Sequence, residues 1–572
     1  MNKLARDVLC DFVARLPSLW PSIYLLVVLF GTVGNDCLAQ KTTRPTTQSN
    51  AGQERASAGN ESLQEITKLL DGGRLEEAEL VAGRAVADFP ADARARVLFG
   101  VVLDQRGRPK DAEREYREAL RLDPRNSAAL TNLGVLLART DRTEQAIQTF
   151  ESLLRLSPDN EQAIYNLGAV YISRGDYKRA IDVLERVLRR PASKVADPSA
   201  ILMLANAYLH DGRAKEAGQL ALRIERVAAN DPRALFTLGL ALAQAHEYEM
   251  AIRLFRRTAD LRPNTFEVLY NLGVALYNVD RLDEAAEALK EASTLKSDDS
   301  DTYYRRGLVA SARGQGEAAI DFWLKAVELK PNFAEANFMI AEELFKHERF
   351  DTAIPFYKLS VEQDPARLVY YIRYGAAHFR RKRYDEARAV YEQGAKHFPD
   401  VPQLHYLIGY AARGQGLYGD ARASFNRALA LQPDNADAIA NLGYLAYQRG
   451  DNVEAEKLLR RAIALDGRLY PPYYDLGRVL VRLRRYDEAI RVLQRGATLN
   501  ANDPGLHYQL FQAYSRMKRK IDADRALAVF QKLESARKAK EDAPVMSDES
   551  PLPEPKFTLP DDGAQRKPTA RP

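Results

Sequence analysis

The sequence predicts an all-α solenoid of helix–turn–helix units, and two observations carry that prediction. First, "NLGVLLARTDRTEQAIQTF" from Asn132 returns, altered, as "NLGAVYISRGDYKRAIDVL" from Asn166, "NLGVALYNVDRLDEAAEAL" from Asn271 and "NLGYLAYQRGDNVEAEKLL" from Asn441. Second, the place of its glycine recurs at positions 66, 100, 134, 168, 205, 239, 273, 307, 341, 375, 409, 443, 477 and 511, in steps of 34 with a single step of 37. A period of this size marks stacked repeats, each burying its apolar face against its neighbours.

Each unit reads as two helices, A and B. On the A helix near Asn271, Val268, Leu269, Leu272, Ala275 and Leu276 follow a helical spacing. A turn follows, carrying Asp280-Arg281 or a glycine such as Gly107, Gly175 or Gly450, a residue that relieves the left-handed geometry of a helix end. The B helix holds an alanine twelve residues after the marker in all fourteen units, from Ala78 to Ala523. A large residue follows four places later: Tyr116, Phe150, Phe255, Trp323, Tyr357 or Phe425. A late proline, among them Pro90, Pro124 and Pro158, cannot continue the helix and ends the unit. Ten markers are glycine, the exceptions being Ile66, Ala205, Ala341 and Phe511. Glycine on A facing alanine on B is the expected reason the helices approach closely.

The 34-residue period with this L-G…A…P pattern resembles the tetratricopeptide repeat over residues 59–537. The resemblance implies a right-handed superhelix whose A helices line a concave, partner-binding face. Three places depart from the pattern. The extra residues fall in "RRPASKVADPSA", Arg189 to Ala200, where a longer loop is expected. Pro355 lies inside a B helix, where it should remove a backbone bond and bend the helix. Arg306 stands where other units have leucine, and reads as a snorkelling side chain with a packed stem.

Charge is nearly balanced, 83 Lys plus Arg against 78 Asp plus Glu for a net +5, so nothing argues for nucleic acid. The two cysteines, Cys10 and Cys37, make neither a zinc cluster nor a disulfide framework. "GQGLYG", Gly414 to Gly419, satisfies G-x-G-x-x-G but follows no strand, so it reads as a turn. "HEYEM" at His246 has Met250 where a zinc helix needs its second histidine. No Walker loop or nucleophile elbow appears, and no segment outside the array is long enough for a catalytic domain. No catalytic residue, cofactor or metal is expected.

Residues 1–39 carry an uncharged stretch over 16–35 whose apolar centre, Ile23 to Val33, is short for a spanning helix and suited to a secretory signal. They are expected to be a cleaved signal peptide or, alternatively, an inner-membrane anchor, placing the protein in the periplasm or envelope. Residues 40–58 read as a polar tether and 538–572 as a Pro-rich disordered tail.

The candidate binding residues lie on the A helices. Asn132, Asn166, Asn271 and Asn441 share the slot two before the marker, with Arg305 and Arg373 in the same slot of other repeats. The resemblance implies that such asparagines can hold an extended peptide by its backbone, because an amide offers both donor and acceptor. One place earlier runs an aromatic row: Tyr165, Phe236, Tyr270, Tyr304, Tyr406 and Tyr474, with Phe338 and Tyr508. Such residues either anchor a partner or pack between neighbours. The basic turns "RRKRY" at Arg380, "RLRRY" at Arg482 and "RMKRK" at Arg516 either meet an acidic partner or are solvated. The functional expectation is an exported, non-catalytic scaffold or adaptor that binds proteins or peptides, of unknown oligomeric state. Alternatives are a specificity subunit of an enzyme complex and a self-assembling scaffold.

Overall fold

A computed structural model describes residues 50–188 and 198–541. Among the described residues there are 28 helices and no strand. They pair into fourteen hairpins, one per marker, numbered here as repeats 1–14. The helices divide between two compact units that meet within the helix Leu282–Leu295, one running up to Ala292 and the other from Ser293. The loop expected around 189–200 lies outside the described residues up to 197; Pro198 opens the next helix, Pro198–His210. Residues 1–39 and 542–572 also lie outside them. The first helix, Asn50–Asp71, begins inside the expected polar tether. Its added residues include Ala51, Gln53, Glu54, Arg55, Ala56 and Ala58, good helix formers that extend a helix repeat 1 already anchors. The last helix, Lys520–Glu541, likewise runs past 537.

Local rules place many of the boundaries. The A helices of repeats 2, 3, 4, 6, 8, 12 and 14 begin after Asp92, Asn126, Asn160, Asp231, Asp299, Asn435 and Asp503, whose side chains accept from the first free amides. Those capping residues were not singled out from sequence, although they recur eight places before the marker. Seven places after the marker, the turn residue adopts a left-handed backbone in all fourteen repeats. Seven of these are glycine; the others are Asp141, His246, Asp280, Glu348, Lys382, Arg484 and Lys518. Pro90, Pro124, Pro158, Pro263, Pro331, Pro365, Pro399 and Pro433 each stand two residues beyond a B helix. Pro355 does not interrupt its helix, which runs from Phe350 to Gln363.

All fourteen alanines are buried, but the marker glycine meets a different residue from the one expected. A Cβ added to Gly134 would lie 2.6 Å from Phe150 Cε1; one on Gly100 would lie 2.5 Å from Tyr116 Cε1, and one on Gly273 2.6 Å from Leu289 Cγ. The same holds for Gly168 on Leu184, Gly239 on Phe255, Gly307 on Trp323, Gly375 on Tyr391, Gly409 on Phe425, Gly443 on Leu459 and Gly477 on Leu493. The glycine therefore seats the large residue sixteen places on, and the alanine is its buried neighbour one turn before. Where the marker is larger, its partner shrinks: Ile66 with Ala82 in repeat 1, and Ala205 with Ala221 in repeat 5. Repeats 9 and 14 depart from this, keeping Ala341 with Tyr357 and Phe511 with Leu527.

The core is accordingly a series of clusters. In the first unit Leu63, Ile66, Ala78, Ala82, Leu98 and Val102 form one. In the second, successive clusters centre on Trp323 with Tyr357 and Tyr370, on Tyr391 with Phe425, and on Leu459 with Leu493. Ion pairs cross from repeat to repeat at the turns: Arg108–Glu79 at 2.8 Å, Arg142–Glu113 at 2.6 Å, Arg349–Glu317 at 2.9 Å, Arg383–Asp351 at 2.9 Å and Arg485–Glu456 at 2.7 Å. Partly exposed pairs of this kind are each worth about 0–1 kcal/mol, so they set register more than stability.

Candidate peptide-binding face

Curvature within each unit decides which helices a partner can reach. In the first unit every A helix packs against the A helix of the next repeat, whereas among the B helices only those of repeats 5 and 6 approach as closely among the described residues. The A helices therefore lie on the inner side of the stack. In the second unit the A helices of repeats 12, 13 and 14 touch in turn, and no B helices do so as closely among the described residues.

The predicted residues separate into two groups. In the first unit Asn166 and Asn271 are almost wholly buried, at 1% and 2% exposure. The Asn271 side chain donates to Glu267 O at 2.8 Å, and its own carbonyl oxygen is buried without a partner. Asn166 accepts from Gln162, and its amide nitrogen is buried unpaired. Asn132 is half-buried and donates to Ala128 O at 2.9 Å. In these three the amide is turned back to its own helix. Tyr165 and Tyr270 are buried, and the Phe236 ring lies tilted against Phe255, 5.6 Å between centres. These aromatics pack between helices.

In the second unit Tyr304 lies 5.1 Å from Phe333, and Arg305 pairs with Asp301 at 3.6 Å. Arg373 grips Glu342 with two donors, at 2.7 and 2.6 Å, and lies over Phe345. Tyr406 is buried against Tyr410 and Phe425; burial pushes its phenol well above its usual range. Arg306 does not snorkel into solvent: its guanidinium packs 4.1 Å from the Phe322 ring centre and donates to buried Ser293 Oγ at 2.9 Å, so the head as well as the stem is held. "GQGLYG" spans a hairpin turn with Gly416 in the left-handed region. His246 sits in a turn rather than on a helix, bonded to the Tyr248 hydroxyl at 2.7 Å.

What the structure does assemble lies on the A helices Pro402–Gly414, Ala436–Gln448 and Tyr470–Arg482 of repeats 11–13. Arg413 lies 3.7 Å from the Tyr444 ring centre and donates to Asn441 Oδ1. One repeat on, Arg478 lies 4.5 Å from the Tyr447 ring centre and donates to Asp475 Oδ1 at 3.3 Å. Half-buried Tyr474 stands 5.4 Å from the same guanidinium. Burial raises the Asp475 carboxyl above the usual carboxylate range, against the pull of Arg413 and Arg478. Of this set only Asn441 and Tyr474 were predicted. The missed Arg413, Tyr444, Tyr447 and Arg478 stand one or four places after the marker, one turn further along the inner face, and Asp475 stands two before it. Chemically the cluster offers flat aromatic faces and clamped guanidinium donors. Among the described residues there is no group able to hold a metal ion, and no helix is long and apolar enough to cross a membrane.

One model of the tetratricopeptide repeat matches residues 63–113, 97–161, 236–300, 304–367, 375–436 and 406–472, more than half of the chain. The chain belongs to the tetratricopeptide repeat family. A second model of the same repeat matches 140–197 and 446–510. No curated protein matches the chain. Among solved structures it is similar to the Cut9–Hcn1 hetero-tetramer of APC/C, at 16% identity over 84% of this chain and 95% of that one, with a TM-score of 0.34. It is also similar to yeast Tom70, at 17% identity over 79% and 97%, with a TM-score of 0.29. YrrB, described as a tetratricopeptide repeat protein with an unusual peptide-binding site, is 23% identical over 35% and 97%, with a TM-score of 0.28. Family membership rests on the repeat models alone.

Proposed function

We propose that the chain is a non-catalytic adaptor that captures an extended segment of a protein partner on the inner A-helix face of repeats 11–13. The family supports a protein-binding scaffold. The observation that carries the placement is the alternation of guanidinium and tyrosine across successive A helices, Arg413 on Tyr444 and Arg478 on Tyr447. Half-buried tyrosines held in one orientation lose little freedom on binding, and arginines already stacked are ordered in advance. A displayed peptide library panned on the full chain tests this. Tyr444→Ala with Tyr447→Ala should weaken a selected peptide by about 30-fold, the loss typical of an interfacial hot spot, while the helical circular dichroism at the assay temperature stays that of the unaltered chain. Undiminished binding by that double variant moves the site elsewhere.

The second part of the reading is location: residues 1–39 export the protein, which works in the envelope. Their short apolar centre supports this. Residues 1–39 fused to alkaline phosphatase, an enzyme active only after export, should give activity in a bacterial host. An inactive, cytoplasmic fusion contradicts export.

A further inference from the structure

The basic turns singled out in the sequence divide in two once their partners are seen. In repeat 10, Arg381 and Arg383 both reach Asp351, at 3.1 and 2.9 Å. They are internal ties between repeats. In repeat 13 only Arg485 is tied to the preceding repeat, through Glu456, and in repeat 14 Arg519 pairs with Asp522 of its own repeat. Arg482, Arg484, Arg516 and Lys518 are exposed and carry no carboxylate partner among the described residues. They are not scattered. Arg482 and Arg516 are the last residues of two consecutive A helices, and Arg484 and Lys518 lie in the turns that follow them, so the four cations form a basic edge at that end of repeats 13 and 14. That edge adjoins the aromatic face, since Arg482 also lies 5.3 Å from the Tyr447 ring centre.

The chain itself supplies a complementary segment. Residues 542–562, "DAPVMSDESPLPEPKFTLPDD", hold six acidic residues against one lysine, with five prolines. Proline-rich chain is already extended and docks on aromatic-lined surfaces at little entropic cost. Reach is sufficient. The helix Lys520–Glu541 starts at the turn holding Lys518 and is about 33 Å long at 1.5 Å per residue. The twenty-one residues after it span about 65 Å at 3.1 Å per residue, enough to return to the edge and continue along it. We infer that residues 542–562 dock on the basic edge and tyrosine face of repeats 12–14 and occupy the partner site from within the same chain. The inference rests on the peptide-binding reading above. Tethering gives the segment an effective concentration in the millimolar range, so a partner must displace it.

The probe is a fluorescein-labelled synthetic peptide of residues 542–562, followed by anisotropy. A full chain with its own acids neutralised (Asp542→Asn, Asp548→Asn, Glu549→Gln, Glu554→Gln, Asp561→Asn, Asp562→Asn) should bind it. The unaltered chain should bind about 10-fold more weakly, because its own segment competes. Arg482→Glu with Arg484→Glu and Arg516→Glu, all at exposed positions, should abolish binding, and added salt should weaken it. Equal binding by the unaltered and neutralised chains overturns the inference, as does binding that survives the charge reversal. An unrelated glutamate-rich peptide binding as tightly to both chains gives the edge to a foreign acidic partner, and also overturns it. If the probe fails while a library peptide still binds through Tyr444 and Tyr447, only the docking of 542–562 is lost; if both fail, the binding reading is lost with it.

Discussion

Trp323→Ala is expected to destabilise repeat 8 by about 3–5 kcal/mol, the range for emptying an aromatic-sized site in a closed core. The ring is fully buried against Gly307 and its Nε1–H donates to Tyr304 O at 3.1 Å. Truncation removes both the filled volume and a buried hydrogen bond. Trp323→Phe keeps most of the volume and should cost about 1–2 kcal/mol. Because each repeat touches only its neighbours, the loss should be local. Amide exchange in the full chain should quicken first in the helices Ser300–Ala312 and Gly316–Leu329. Unchanged exchange there, or a uniform rise through residues 300–541, contradicts the packing described.

Gly134→Ile should cost repeat 3 about 1–3 kcal/mol by overpacking. The new side chain would start 2.6 Å from a Phe150 ring that is fully buried and has nowhere to retreat. Phe150→Ala alone should cost about 3–5 kcal/mol through its cavity. Together they recreate the Ile66 and Ala82 arrangement that repeat 1 already uses. The double variant should therefore be more stable than the sum of the singles by about 0.5–3 kcal/mol. Urea unfolding of the four proteins measures the coupling, and strict additivity would mean that the two positions do not meet.

These two experiments bear on where sequence reasoning was strong and where it slipped. The helices, their turns and the stopping prolines were legible because the pattern recurs fourteen times in register. The partner of the glycine was not. Positions twelve and sixteen after the marker lie one helical turn apart on the same face of the B helix, so spacing alone cannot say which one touches. The small alanine invited the wrong choice; the large side chain is the one long enough to reach across. The expected tether beyond Asn50 was misjudged for a related reason, since polar composition does not stop a helix that its neighbour has already nucleated.

The binding face was less visible than the fold. Tyr165, Tyr270 and Tyr406 stand in an aromatic row that could equally serve packing, and burial assigns them to packing. Asn166 and Asn271 are likewise sunk beside their own helices. Arg413, Tyr444, Tyr447 and Arg478 carry no motif, because their significance comes from stacking across repeats rather than from spacing within one. The basic turns show the same limit: Arg380 and Arg482 hold the same place in their repeats, yet Arg380 reaches Glu348 whereas Arg482 has no carboxylate partner among the described residues.

The most direct test of the central claim is hydrogen–deuterium exchange of the full chain with and without a selected peptide. Protection confined to the A helices Pro402–Gly414, Ala436–Gln448 and Tyr470–Arg482 is the expected result. Protection on the B helices Tyr418–Leu431 and Asn452–Leu465 instead, or in neither set, would contradict it.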